Sequence, residues 1–258
     1  MLLLVFLNLI LPCSLVFAVN TTTPFQVVID AGHGGVDSGA VQNGIREADL
    51  SLSIAQKIAE TLQKDPRFRV TLTRTHDQKL DLKKRAMIAN HHKGDLFLSI
   101  HANSSTDAKS HGAEFYFQNQ LPASEEELFL AARENEVDQS PELNREISSF
   151  THASTRNADV LAIIDDLHRN HRIKRSDQFA AILHGSWKGV GHGNKSSIRQ
   201  APFYLVSNVN MPSLLIELGY LTNAHEAQAL NDPEKQQKIA SNLYQAIVQF
   251  KELLDNER

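Results

Sequence analysis

Two histidines and two glutamates in this chain have the side-chain types to hold a metal and move a proton: His33, Glu47, His101 and Glu217. His33 follows the apolar run Val27-Val28-Ile29-Asp30-Ala31-Gly32. His101 closes Asp95 to Ile100, and Glu217 closes Ser213-Leu214-Leu215-Ile216. Two imidazoles and a carboxylate suit zinc in an open catalytic site, with water in the fourth position. Zinc lowers the pKa of that water and polarises a carbonyl oxygen. A further carboxylate off the metal would act first as base and then as acid to a leaving amine. Glu217 needs a cation, metal or proton beside it, because an unpaired buried acid is costly. Glu47 also has a plainer explanation, as a favourable charge at a helix N-terminus.

The elements that must position these residues alternate. Val27 to Asp30 reads as a buried strand stopped by glycines, which permit positive φ and close backbone approach. Leu50, Ile54, Ala55, Ile58, Ala59 and Leu62 recur at helical spacing, so the pattern predicts a helix from Glu47 to about Lys64. Phe68 to Thr73 is a second strand. Leu80 to about His91 is a second helix, with Leu82, Met87 and Ile88 expected inward. Asp95 to Ile100 and Gly112 to Phe117 are further strands, followed later by one over Ile198 to Val206 and one over Met211 to Gly219. Helices are expected over Asn223 to Leu230 and Asp232 to Leu254. This rhythm implies right-handed crossovers and an α/β fold: a mostly parallel or mixed twisted sheet of about six strands flanked by helices. In a parallel sheet the ends carrying His33, His101 and Glu217 share one edge, where such folds bind their ligands.

From Pro122 to Lys188 no strand is expected, and the region reads as a helical insertion, about 120–195. Ser124 with Glu127 forms a capping-box pattern. The helix that follows carries Glu134, Glu136 and Asp138. Asp159 to His168 and Ser176 to Trp187 read as two more helices.

Composition narrows the function. The net charge of −4 excludes a typical nucleic-acid binder. Counting from Gly32, the third glycine of a dinucleotide fingerprint would fall at Asp37, so that motif fails. No His-Glu-x-x-His helix is present. Residues 1–18 are apolar apart from Asn8 and Ser14, carry no charged side chain and end in Val16-Phe17-Ala18, as a secretory signal peptide does. The mature domain would then span 24–258, exported to the periplasm with no stable membrane span after cleavage. Cys13, the single cysteine, falls inside that leader, so no disulfide is expected. His91 and His92 sit near a helix C-terminus, where the dipole favours them. His168 and His171 lie in a basic run and read as solvated. His192 follows no apolar strand.

Several segments together resemble one family. They are Val28-Ile29-Asp30-Ala31-Gly32-His33-Gly34-Gly35, Arg46-Glu47-Ala48-Asp49, Thr73-Arg74 with Leu82 and Arg85, Leu98-Ser99-Ile100-His101-Ala102-Asn103, and Pro212 to Asn223. In this order they resemble the zinc-dependent N-acetylmuramoyl-L-alanine amidases of the amidase 3 type. The resemblance implies that His33, Glu47 and His101 are zinc ligands and Glu217 the catalytic glutamate. It also implies cleavage of the amide between N-acetylmuramic acid and the L-alanine of the peptidoglycan stem. Asn103 would orient substrate. The insertion resembles that of periplasmic division amidases, where it covers the zinc site until a partner protein removes it. Glu134 is then the leading plug, with Glu136 and Asp138 as alternatives. Two other readings are a zinc carboxypeptidase acting on stem peptides and a non-catalytic peptidoglycan-binding regulator. Retention of all four site residues argues against the second.

Overall fold

The computed structural model describes residues 23–119, 123–135, 156–187 and 195–257. The signal-peptide segment, Glu136, Asp138 and His192 lie outside the described residues. Elements run β1 (Phe25–Ala31), β2 (Val41–Gln42), β3 (Ile45–Arg46), α1 (Glu47–Gln63), β4 (Phe68–Leu72), α2 (Leu82–His91), β5 (Leu96–Asn103) and β6 (Ala113–Gln118). Then follow α3 (Glu125–Asn135), α4 (Arg156–Ser186), β7 (Ser196–Ala201), α5 (Tyr204–Asn208), β8 (Ser213–Tyr220), α6 (Ala224–Asn231) and α7 (Pro233–Asn256). Among the described residues, no helix is long and apolar enough to cross a membrane.

Six strands form one sheet in the order β4-β1-β5-β8-β6-β7. The β1–β4, β1–β5, β5–β8 and β6–β7 pairs are parallel, and β6 runs antiparallel to β8. The α/β expectation holds, and the sheet is mixed. The reversal of β6 matters for function: its N-terminal end, carrying Glu114, lies at the edge where β5 and β8 finish.

Strand alternation separates two faces. Val27, Ile29, Leu98, Ile100, Leu214 and Ile216 enter the main core. There they meet Ile54 and Ile58 of α1, Phe179 of α4, and Leu243 and Ile247 of α7. The alternate residues make the other face. Val28 and Phe97 pack with α2 and α5, and Tyr116 and Leu215 with α3. Asp30, Ser99, His101, Glu114 and Glu217 continue that second register, so the alternation that builds the core also delivers these five polar side chains to one face. The insertion divides accordingly: α3 lies on the polar face and α4 on the opposite one.

Several sequence expectations need adjusting. The two helices expected over 159–187 are one, Arg156–Ser186, since the basic run between them holds no glycine or proline to stop it. On α2, Met87 is 61 % exposed. The buried face is Arg85, Ala86 and Ala89, because Arg85 reaches under β1 to its carbonyls. The strand expected over 198–206 ends at Ala201. Pro202 supplies no N–H for a ladder, and the short α5 follows.

Candidate metal centre

The turn after β1 is held from below by two buried arginines. Arg85 donates to Ala31 O (2.6 Å) and His33 O (2.6 Å). Arg74 donates to Ala31 O (2.8 Å) and Gly32 O (2.7 Å). Arg85 is itself paired with Asp30 at 2.8 Å. Burial alone would raise the Asp30 pKa, but Arg85, Thr73 and Ser99 outweigh it and hold the carboxyl below its usual range. These bonds maintain His33 at φ 57°, a left-handed conformation for a residue with a Cβ. Gly32 is required by close approach: a Cβ there would fall 2.5 Å from His101 Cε1.

Four side chains converge beyond this turn. Glu47 Oε1 lies 3.0 Å from His33 Nε2 and 3.0 Å from His101 Nδ1. Glu134 Oε2 lies 3.3 Å from His33 Nε2 and 3.4 Å from His101 Nδ1. The donor atoms of His33, His101 and Glu134 lie within 4.8 Å of one another, and all three residues are buried. Glu47 is fixed by Ala40 N (2.8 Å) and Ala102 N (3.1 Å). His33 Nδ1 lies 2.9 Å from Asp37 Oδ2. Glu134 Oε1 accepts two bonds from Arg133, 2.9 and 3.1 Å, and Arg133 also donates to Ser104 Oγ.

Whether these residues suit a cation can be read from the atoms themselves. His33 Nε2 is buried and has no hydrogen-bond partner among the described residues, although Glu47 Oε1 is 3.0 Å away. Burial alone would lower the His33 pKa. Glu47, Asp37 and Glu134 outweigh it and push it up to about 12. Burial would raise Glu47, yet His33 and His101 hold it well below the usual carboxylate range. The cluster thus gathers anionic oxygens around imidazole nitrogens and favours positive charge at its centre, as nitrogen and carboxylate ligands for zinc do.

Glu217 stands beside the cluster, opposite His101 in the β5–β8 register. It is fully buried, and among the described residues neither carboxylate oxygen has a hydrogen-bond partner. Burial, with the charges of Glu47 and Glu134, raises its proton affinity well above the usual carboxyl value; Arg133 partly offsets this. Asn103 reaches the same face, but its Nδ2 donates to Glu114 Oε2 at 3.2 Å.

The structure therefore brings together all four residues singled out for chemistry, with Glu134, the residue singled out as the leading plug, among them. Asp37, Arg133, Glu114 and Arg199 were not singled out. Asp37, four residues after His33 in a glycine-rich turn, carried the best available signal. Among the described residues, His91, His92, His168 and His171 are absent from the donor cluster.

Fold and site define a class: an α/β domain with a buried histidine–glutamate donor cluster at the strand ends, able to hold a metal. The chain belongs to the N-acetylmuramoyl-L-alanine amidase family, whose profile matches residues 27–249. It is accordingly an amidase, a hydrolase. It is 31% identical to N-acetylmuramoyl-L-alanine amidase AmiA of Salmonella typhimurium over 234 residues, covering 90% of this chain and 78% of that one. Among solved structures it is similar to the catalytic domain of CwlV, an N-acetylmuramoyl-L-alanine amidase from Bacillus (Paenibacillus) polymyxa. The TM-score is 0.65 at 28% identity, with 88% of this chain and 98% of that chain covered. The CwlD amidase of Clostridioides difficile, solved in complex with the GerS lipoprotein, shares the fold. Its TM-score is 0.65 at 23% identity, covering 89% of this chain and 99% of that one.

Proposed function

We propose that this protein is a zinc-dependent amidase. It hydrolyses the bond between N-acetylmuramic acid and the L-alanine of the peptidoglycan stem, and its own helix α3 holds it closed. One observation carries the reading: the Glu134 carboxylate stands among the donors of His33, Glu47 and His101, with the unpaired Glu217 beside them. His33, Glu47 and His101 would hold the zinc. Zinc bound there polarises a carbonyl and makes water a nucleophile near neutral pH. Glu217 takes the proton from the attacking water and hands it to the alanine nitrogen as the C–N bond breaks. Its place at the level of His101 on the adjoining strand puts it beside the proposed ligands, where the attacking water would stand. Asp37 holds the His33 ring, and Ala40 N and Ala102 N hold the Glu47 carboxylate. Asn103 contributes through Glu114 to the wall on the substrate side.

In the closed arrangement Glu134 takes the position that substrate or water needs. Family membership supports the substrate assignment, and the apolar leader supports export to the periplasm. Opening requires α3 to leave, a task for a partner protein; the relative CwlD is itself a partnered amidase.

Digestion of purified peptidoglycan, followed by mass spectrometry, tests the reading. Zinc-loaded Glu134→Ala should release intact stem peptides with a free alanine amine, faster than the unaltered chain, and a chelator should abolish release. Shortened peptides still attached to sugar would mean a carboxypeptidase. No release by either protein would mean a non-catalytic binder, and equal rates would rule out closure by Glu134.

A further inference from the structure

Resting on the amidase reading, the polarity of the cleft follows from which atom Glu217 must protonate. The donor cluster sits at β1, α1 and β5, and Glu217 stands on β8, one strand further across the sheet. The alanine nitrogen must meet Glu217, so the stem peptide leaves the metal in the direction of β8, β6 and β7. The sugar lies towards β1 and β4.

Along that line the same face carries further polar side chains beside the apolar cluster under α3. Glu114 on β6 is the antiparallel partner of Glu217, and Tyr116, two residues on, partners Arg199 of β7. Glu114 is saturated by donors. Arg199 Nε lies 2.8 Å from its Oε1, and Tyr116 Oη (2.9 Å) and Asn103 Nδ2 (3.2 Å) serve its Oε2. Glu114 therefore holds the Arg199 guanidinium in place by one nitrogen. The opposite end faces α3, where Nη1 lies 4.0 Å from Glu127 Oε1.

That contact suggests what Arg199 is for. Glu127 and Glu134 are seven residues apart on α3, about two turns or ~10.5 Å along the helix. One carboxylate meets the metal donors and the other meets Arg199. Strands are spaced by about 4.8 Å, so β7 lies ~10 Å beyond β8. At about 3.3–3.6 Å per extended residue, ~10 Å is about three residues, but Glu114 draws the guanidinium back over the intervening β6, ~5 Å beyond β8, so it lies between about one and three residues of stem beyond the scissile nitrogen. The second stem residue, a glutamate joined through its γ-carboxyl, carries its free α-carboxylate in this interval.

We propose that Arg199 is the specificity residue for this stem carboxylate, and that Glu127 fills the same position when the enzyme is closed. Helix α3 then imitates substrate at two points, Glu134 at the reacting centre and Glu127 at the carboxylate subsite.

The test uses the full-length, zinc-loaded chain carrying Glu134→Ala, with soluble glycan strands whose second stem residue is either glutamate or its α-amide, isoglutamine. Adding Arg199→Gln should raise KM about tenfold on the acid strands, the loss expected for one charge-assisted hydrogen bond, with kcat kept. On the amidated strands KM should change little, and Arg199→Lys should recover most of the difference. Equal loss on both substrates, or no loss on the acid strands, would overturn the assignment. If the chain with Arg199 intact cleaves neither substrate, the amidase reading itself fails and this inference falls with it. A second variant isolates the closed state. Glu127→Gln keeps the capping-box chemistry that Glu127 makes with Ser124 (Ser124 N to Glu127 Oε2, 2.7 Å) and removes the charge. In an otherwise unaltered chain it should speed peptidoglycan digestion; an unchanged rate would overturn the mimicry.

Discussion

His101 and Glu217 are register partners on the parallel strands β5 and β8, so an imidazole and a carboxylate leave the same sheet face at the same level. The two have different surroundings. His101 Nδ1 faces Glu47 at 3.0 Å, whereas both Glu217 oxygens lack a hydrogen-bond partner among the described residues. On the proposed mechanism the first position would be a ligand and the second would carry the proton.

Glu217→Gln should therefore leave metal binding intact and remove turnover. The amide keeps the shape and cannot act as base, so the rate should fall about 10²- to 10⁴-fold. Metal content by elemental analysis, alongside peptidoglycan digestion in a Glu134→Ala background, checks this. Loss of metal together with activity would place Glu217 among the ligands.

Asp37 should act on the metal through His33. A carboxylate on the far ring nitrogen fixes the tautomer and orientation of a ligating histidine. Asp37 Oδ1 also accepts from Gly39 N at 3.1 Å, and Ala40 N is bonded to Glu47, so one short loop steadies two of the proposed ligands. Asp37→Ala should weaken zinc binding roughly 10- to 100-fold, read by competition with a chromophoric chelator. Asp37→Asn should recover part of the loss, and unchanged affinity for both variants would remove Asp37 from the site.

The positions that converge at the candidate site were legible in the sequence because strand ends in α/β folds are chemically distinctive. His33, His101 and Glu217 each close an apolar run, and the 3.6-residue pattern places Glu47 at a helix start. The capping box of Ser124 and Glu127 was legible for the same local reason, and both of its bonds form. Arg85 was hidden because helical periodicity ranks residues by hydropathy. It assigned Met87 inward, when a buried arginine had carbonyls to satisfy. Glu114 was hidden because its place at the active edge depends on β6 running antiparallel, which no local pattern encodes. Arg199 was hidden for the same reason, since it reaches that face only through pairing with β6.

Asp30 predicts how the protein responds to acid. Its carboxyl is buried against Arg85, Thr73 and Ser99, and its folded pKa lies below the unfolded value of about 3.9. A depressed carboxyl stabilises the fold fully above the unfolded pKa. That contribution disappears as pH falls through the folded value. Asp30→Asn should thus lower stability at neutral pH and flatten the acid limb of the stability profile, measured by urea unfolding between about pH 2 and pH 7. Arg85→Ala should cost more, roughly 3–5 kcal/mol, because it leaves a buried charge unpaired. An acid limb unchanged in Asp30→Asn would mean that other carboxylates govern it.

The closed state should also be weakened at a point remote from the metal donors. Asn135, the last residue of α3, grips the β7–α5 turn at both ends of its amide: Nδ2 donates to Pro202 O at 3.1 Å, and Oδ1 accepts from Tyr204 N at 2.9 Å. Leu130 and Ala131 pack beside it on Tyr116, Phe203 and Leu215. Each hydrogen bond contributes about 0.5–1.5 kcal/mol net, so removing the pair should shift the closed–open balance by about 2 kcal/mol, or roughly thirtyfold. The apolar contacts remain in the variant, so α3 should still form and still close. Asn135→Ala is therefore expected to raise peptidoglycan digestion at unchanged zinc affinity, and to add little to Glu134→Ala, which is open already. An additive gain in the double variant would mean that Asn135 acts on the chemistry itself, and no gain in the single variant would mean that the clamp does not hold α3 closed.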